Sequence, residues 1–361
     1  MKITAIYVYA IIPTGDQVVF EVAGLDDHQD EVYSIPHGQV AAVVGASPLA
    51  DYRGMQRNEA VRYLVAHQRV LETVMRDYPV LPVKFGTVLP DEGRVRHLLE
   101  QGEPLFRTAL ERMAGQMQME VVVLWNLPEV FQQIGQEEPI ALLKAQIASH
   151  PPEETMAERV ALGQMVKASL ERQRAALSDR LLPPLREVAL DTTFNPLMDD
   201  SMVTNVALLL NKAGRSALDQ RLEQLDEAFA RRLRFRCVGP LPPYSFATVE
   251  VQVPAFAAVD EARRCLGLGE TATEDEIKRA YHQMAFRLHP DYNPNHAESE
   301  APMAELTQAY RLLTDYAANV QRGRGAEGQQ SAIPFSRETV ERTLLVAIRQ
   351  QEALPPASGA A

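Results

Sequence analysis

Cysteine is nearly absent: Cys237 and Cys265 are the two in 361 residues, one in an expected strand and one in an expected helix. No disulfide framework and no CxxC metal site can be built from them, which leaves packing as their role. Aromatic residues make up 6% of the chain, with a single tryptophan, Trp125, read as core. The opening stretch, residues 1–13, is too short and too interrupted by polar groups for a membrane span, and it lacks the basic start and cleavage site of a secretory signal. A cytoplasmic protein with no membrane partner is therefore expected. Basic charge is in deficit, since 36 Lys and Arg against 48 Asp and Glu give a formal net charge of -12. Phosphate neutralisation needs a basic face that this balance does not readily supply, so a protein partner is expected and nucleic acid is not.

Chemistry-bearing groups are also sparse. His67 lies near Arg62, Arg69 and Glu72 without a nucleophile or metal-ligand partner at a supportive spacing, and reads as a helix-surface or core histidine. His282, His289 and His296 recur at intervals of seven, but Pro290 breaks the helix between them, so no metal site is expected. Gly267-Leu-Gly-Glu-Thr-Ala272 formally matches a dinucleotide fingerprint, yet it follows a helix and not a strand. The expectation is no enzyme, no cofactor and no metal. Arg231, Arg232, Arg234 and Arg236 form the densest basic run, read first as a solvated helix end and strand face and second as a site for an acidic partner.

What is present is a globular composition, 46% hydrophobic and 23% charged, long enough for two or three domains. The chain is organised about residues 235–253, where Gly239, Pro240, Pro242 and Pro243 brace a corner between two strands. Before it, strands are expected over 3–12, 18–22, 32–35 and 39–45, forming an antiparallel sheet covered by a helix over 58–76 whose apolar positions are Val61, Leu64, Val65, Leu71 and Met75. An extended stretch over 78–89 precedes two short helices, 91–101 and 103–114, divided by Gly102 and Pro104. A strand over 118–125, helical sequence over 128–182, strands over 188–194 and 202–210, a helix over 215–231 and a strand over 233–238 give the order of a ferredoxin-like split βαβ unit. After the corner the chain is helical, with a glycine-rich linker and a last amphipathic segment over 336–351. The fold class is thus α+β: an N-terminal α+β subdomain (1–116), a ferredoxin-like subdomain (117–254), a helical domain (255–320), a linker (321–335), and an amphipathic helix with a tail (336–361).

In the helical part, Thr273 and Glu276 form a capping-box signature before a helix over 274–288, and Pro290 starts a tight loop ahead of a partner helix over 303–320. Glu276-Ile-Lys-Arg-Ala-Tyr281, His289-Pro-Asp-Tyr-Asn-Pro294 and Ala309-Tyr-Arg-Leu-Leu-Thr-Asp315 together resemble the J domain of the DnaJ co-chaperones. The resemblance implies that His289, Pro290 and Asp291 form the contact that triggers ATP hydrolysis in a DnaK-type chaperone, with Lys278, Arg279 and Arg287 as its electrostatic face. Family members place more Lys or Arg where this chain has His282 and Gln283, and often an aromatic where it has Leu288.

The body resembles the gas vesicle accessory proteins GvpF and GvpL. The matching pieces are Tyr7-Val-Tyr9, His67-Gln-Arg-Val-Leu-Glu72, Leu81-Pro-Val-Lys-Phe-Gly-Thr-Val88 and Gly239-Pro-Leu-Pro-Pro-Tyr-Ser-Phe246. The family's common Arg is Lys84 here, which keeps the charge and loses the planar fork. The implied role is to bind the small hydrophobic shell subunit, beside other vesicle accessory proteins, and to assist vesicle assembly. A general J-domain co-chaperone with a different client and a purely structural minor vesicle component are the two alternatives.

Overall fold

The computed structural model describes residues 5–25, 31–49, 51–52, 54–288, 300–324 and 331–350. The described residues between 1 and 112 and between 247 and 349 form one compact unit, and residues 113–246 form a second.

In the first unit, β1 (Ala5–Ile12) is rich in β-branched and aromatic residues and almost wholly buried. With β2 (Val19–Phe20), β3 (Val32–His37), β4 (Val40–Ser47) and the two-residue strands β5 (Leu81–Pro82) and β6 (Val88–Leu89) it builds a six-stranded sheet, ordered β2-β3-β4-β1-β5 with β6 also on β1. Every pairing is antiparallel, as the strand spacing predicts. The register of β1 on β4 shifts between Val8 and Ala10, so Tyr9 is the extra residue of a bulge.

Helix α1 (Arg57–Val74) lies where the periodicity puts it but turns a different face inward. Tyr63, Ala66, His67, Val70, Leu71 and Val74 are buried. Val61, Leu64 and Val65 are 50%, 44% and 62% exposed. Helix α2 (Glu92–Met113) is one helix and not two. Gly102 does not break it, because the Phe106 ring occupies the space a Cβ would need. Phe106 is in turn fully buried beside Leu98, Leu99 and Leu110.

The second unit runs β7 (Gln116–Trp125), α3 (Leu127–Ile134), α4 (Glu138–Ala148), α5 (Met156–Glu187), β8 (Asp191–Phe194), β9 (Met202–Asn211), α6 (Arg215–Ala228) and β10 (Leu233–Leu241). Its sheet has the order β10-β7-β9-β8, antiparallel throughout, which is the ferredoxin-like arrangement. Met117, Met119, Val121, Val123 and Trp125 alternate along β7 into one core with Leu181, Leu185, Leu218 and Leu222. Helix α5 continues through Pro183 and Pro184, where sequence alone ends it. Burial of Leu181, Leu182 and Leu185 offsets the roughly 3 kcal/mol that an interior proline costs. Pro240 is tolerated in β10 because β10 is an edge strand, with a register irregularity between Val238 and Leu241.

The first unit resumes with β11 (Thr248–Gln252), α7 (Phe256–Cys265), β12 (Thr271–Ala272), α8 (Glu274–Leu288), α9 (Glu300–Arg324), β13 (Ile333–Pro334), α10 (Arg337–Arg342) and β14 (Leu345–Arg349). Helices α7, α8 and α9 share a core of Val259, Leu266, Ile277, Leu306, Leu313 and Tyr316. Ile333, Phe335, Val340 and Leu345, from beyond the helices, belong to the same core. The expected amphipathic helix over 336–351 is thereby corrected: only Arg337–Arg342 is helical, and Leu345–Arg349 is a strand on β11. Its run of five residues is buried at Leu345 and Val346 and paired along its length, a setting that suits β-branched side chains and leaves no exposed helical face. Of the expected linker, residues 321–324 end α9, 325–330 lie outside the described residues, and 333–334 pair with β12.

Candidate functional site

The helical hairpin is built from its cap upward. Thr273 N–H donates to Glu276 Oε2 at 2.8 Å, and Glu276 N–H donates back to Thr273 Oγ1 at 3.3 Å. That is the reciprocal capping box read from the sequence. Hydrogen bonds from the Thr273 backbone and hydroxyl hold the Glu276 carboxyl below the usual carboxylate range. Upstream, Gly267 sits at φ +66 and closes α7, with Leu268 N–H donating to Arg263 O, so the glycine fingerprint is a helix C-cap. Across the hairpin, Tyr281 of α8 stacks on Tyr310 of α9 with ring centroids 4.2 Å apart.

Lys278, Arg279 and Arg287 are all exposed on α8. At 3.6 residues per turn, Arg279 and Arg287 stand about 80° apart and Lys278 about 180° from Arg287, so the three span the solvent half of the helix without forming one tight cluster. His289, Pro290 and Asp291 lie outside the described residues.

A second convergence gathers three of the body segments singled out in the sequence. Buried Tyr7 and Tyr9 of β1, buried His67 of α1 and half-buried Phe85 form an aromatic group in which Tyr7 and Tyr9 stand 4.8 Å apart and His67 stands 5.8 Å from Phe85. The Tyr7 hydroxyl accepts from Gly86 N–H at 3.0 Å and pairs with His67 Nδ1 at 2.9 Å. Gly86, at φ +83, makes this approach in a backbone region that favours glycine. Burial pushes the His67 pKa down to about 4. A 2% exposed imidazole inside an aromatic shell braces the sheet against α1 and is a core histidine, one of the two alternatives read from the sequence.

Next to that group, Lys84 N–H donates to Val249 O at 2.9 Å and Lys84 Nζ pairs with Glu250 Oε1 at 2.6 Å. An arginine fork takes both carboxylate oxygens, whereas the lysine takes one and leaves Oε2 facing Arg349 Nε at 3.6 Å. Arg349 also pairs with Asp315 of α9 at 3.5 Å.

The residues that mount the hairpin were not visible in the sequence. Buried Gln101 of α2 donates to Asn319 O at 3.0 Å and Leu344 O at 2.9 Å, and its own carbonyl accepts from Leu344 N–H at 3.3 Å. Arg94 donates to the carbonyls of Arg342 and Glu341 at 2.7 and 2.8 Å, at the C-terminal end of α10 where a cation is favoured. No spacing rule connects residues more than 200 positions apart, and the one available signal was a glutamine inside an apolar helical face.

In the second unit a groove of about 990 Å³ is lined by Trp125, Leu127, Leu222, Ser201, Asp226 and Arg231, among others. Ser201 donates its hydroxyl to Asp199, outside the lining, so the groove presents no nucleophile paired with a base. Among the described residues, no His/Cys/Asp/Glu cluster fits a metal ion and no helix is long and apolar enough to cross a membrane.

A family model described as gas vesicle synthesis protein GvpL/GvpF matches residues 5–248, and one described as the DnaJ domain matches residues 264–320. Gas vesicle protein F of Dolichospermum flosaquae is 24% identical over 248 residues, covering 68% of this chain and 98% of that protein. Gas vesicle protein L of a Streptomyces species is 32% identical over 263 residues, covering 67% of this chain and 92% of that protein. The crystal structure of gas vesicle protein GvpF from an Anabaena species superposes with a TM-score of 0.54 at 23% identity, covering 67% of this chain and 97% of that one, and shows a shared fold.

Proposed function

Because this chain belongs to the gas vesicle synthesis protein GvpL/GvpF family and carries a DnaJ domain behind that region, we propose that it assembles gas vesicles by holding the small hydrophobic shell subunit on its body while its J domain recruits a DnaK-type chaperone. The observation that carries this reading is the presence of both modules in one chain, with the J-domain helices in the same compact unit as the N-terminal sheet. Tethering client and chaperone contact raises the effective concentration of the second encounter without any new contact. Neither module calls for catalysis by this chain. The proposed setting is the cytoplasm, at the gas vesicle, with other vesicle accessory proteins as neighbours. In this reading His289, Pro290 and Asp291 touch the chaperone, and Lys278, Arg279 and Arg287 attract its acidic side.

The outer stripe of α1 supports the client half. Val61, Leu64 and Val65 are apolar side chains at helical neighbour spacing, exposed on a helix whose other face is already buried, and they suit a hydrophobic subunit. Capture of the purified shell subunit by the full chain tests it. Wild type and His289→Gln retain the subunit equally, and Val65→Glu weakens capture by about tenfold, a charge set into an apolar contact. Absence of capture by wild type overturns the reading in favour of a co-chaperone with another client.

A further inference from the structure

Strand β10 is an uncovered edge. It is the outer strand of the four-stranded sheet, and every residue from Arg234 to Leu241 is at least partly exposed, whereas β9 beside β7 is mostly buried. Over residues 233–238 it pairs regularly with β7 and leaves its other side without a strand. Such an edge offers a row of backbone donors and acceptors to another chain.

The charge on this edge is selective. Arg234 and Arg236 point to one face of the sheet, two residues apart, with Arg231 and Arg232 just before them. Four other arginines of this unit have carboxylate partners, among them Arg174 with Asp200 at 3.1 Å, Arg215 with Asp219 at 3.0 Å and Arg221 with Glu187 at 2.7 Å, while Arg180 and Arg186 lie over the Phe229 and Phe194 rings. Among the described residues, Arg231, Arg234 and Arg236 have none. Four guanidinium groups stand within six residues in a chain of net charge -12, with Glu129, Glu223 and Asp226 in the groove beside the first three and none of these carboxylates paired with Arg234 or Arg236. A second copy does not fit this edge: antiparallel self-pairing centred on Phe235 sets arginine opposite arginine, which is repulsive. An extended segment with carboxylates at alternate positions fits it, since its acidic side chains fall on the face that carries Arg234 and Arg236 while its backbone completes the ladder.

We infer that β10 is a docking edge for an acidic extended segment of a partner protein, which adds to the ferredoxin-like sheet as a fifth strand. This goes beyond the shell-subunit and chaperone contacts, which use other surfaces.

The probe is a fluorescent hexapeptide of alternating valine and glutamate, with alternating valine and lysine as its control, titrated against the full chain by anisotropy at low salt. The acidic peptide binds at least about tenfold more tightly than the basic one. The double variant Arg234→Glu/Arg236→Glu, altered at exposed side chains only, inverts that preference. Amide exchange slows on binding over residues 233–238. Failure of the acidic peptide to bind, equal binding of both peptides, an unchanged preference in the double variant, or unaltered exchange in β10 overturns the proposal. Self-association of an Arg234→Ser/Arg236→Ser variant together with no peptide binding by wild type also overturns it, because the arginines then serve only to keep copies apart.

Discussion

A chain ending at residue 330 loses the ordered packing of the J-domain helices while keeping the ferredoxin-like sheet. Residues 331–349 bury Ile333, Phe335, Val340, Leu344, Leu345 and Val346. At about 1.5–3 kcal/mol for each buried side chain, their removal takes away roughly 10 kcal/mol, comparable with the whole stability of a typical domain. Polar contacts go with them. Tyr316 loses the Pro334 carbonyl at 2.7 Å, Arg322 loses the Val346 carbonyl at 3.2 Å, and buried Gln101 keeps one of its three hydrogen bonds, that to Asn319. Hydrogen exchange on the two chains is the measurement. Amides of α7 and α9 lose protection in the shortened chain, and those of β7 and β9 do not. Equal protection of α7 and α9 in both chains contradicts this structural role of the C-terminal segment.

Acid destabilises the first unit through His67. The free imidazole has a pKa near 6.5 and burial pushes it down to about 4 in the folded chain. The folded state therefore favours the neutral ring. Its contribution is fully present above about pH 6.5 and is lost progressively as the pH falls toward 4, by about 3 kcal/mol in all. His67→Gln keeps a polar group facing Tyr7 and removes the titration. Urea unfolding at several pH values then shows wild type losing about 3 kcal/mol more than the variant between pH 7 and pH 4, with the carboxylates contributing alike to both. Parallel stability profiles contradict the assignment.

Much of the fold could be read along the chain where local chemistry and global packing agree. The capping box of Thr273 and Glu276, the split βαβ order of the second unit and the motifs flanking the hairpin are of this kind. The misread elements are those decided by distant neighbours. Gly102 and Pro104 signal a break, yet the Phe106 ring fills the glycine's vacant side and the helix continues. Leu344-Leu-Val-Ala-Ile348 is a short apolar run that fits helix or strand, and the available edge of β11 decides it. On α1 a polar histidine is buried and three aliphatic residues face outward, the reverse of a hydrophobicity pattern. The aromatic group of Tyr7, Tyr9, His67 and Phe85 was visible only as separate motif fragments, because their convergence depends on the sheet register and the turn at Gly86.

ATP turnover by a DnaK-type chaperone, measured with the full chain and the purified small shell subunit together, tests the central claim most directly. The account predicts that the full chain stimulates turnover, that the shell subunit raises the stimulation further, and that His289→Gln abolishes it while still capturing the subunit. Stimulation that is absent in wild type, or equal in wild type and His289→Gln, contradicts the account and leaves a vesicle protein whose J domain has no chaperone to act on.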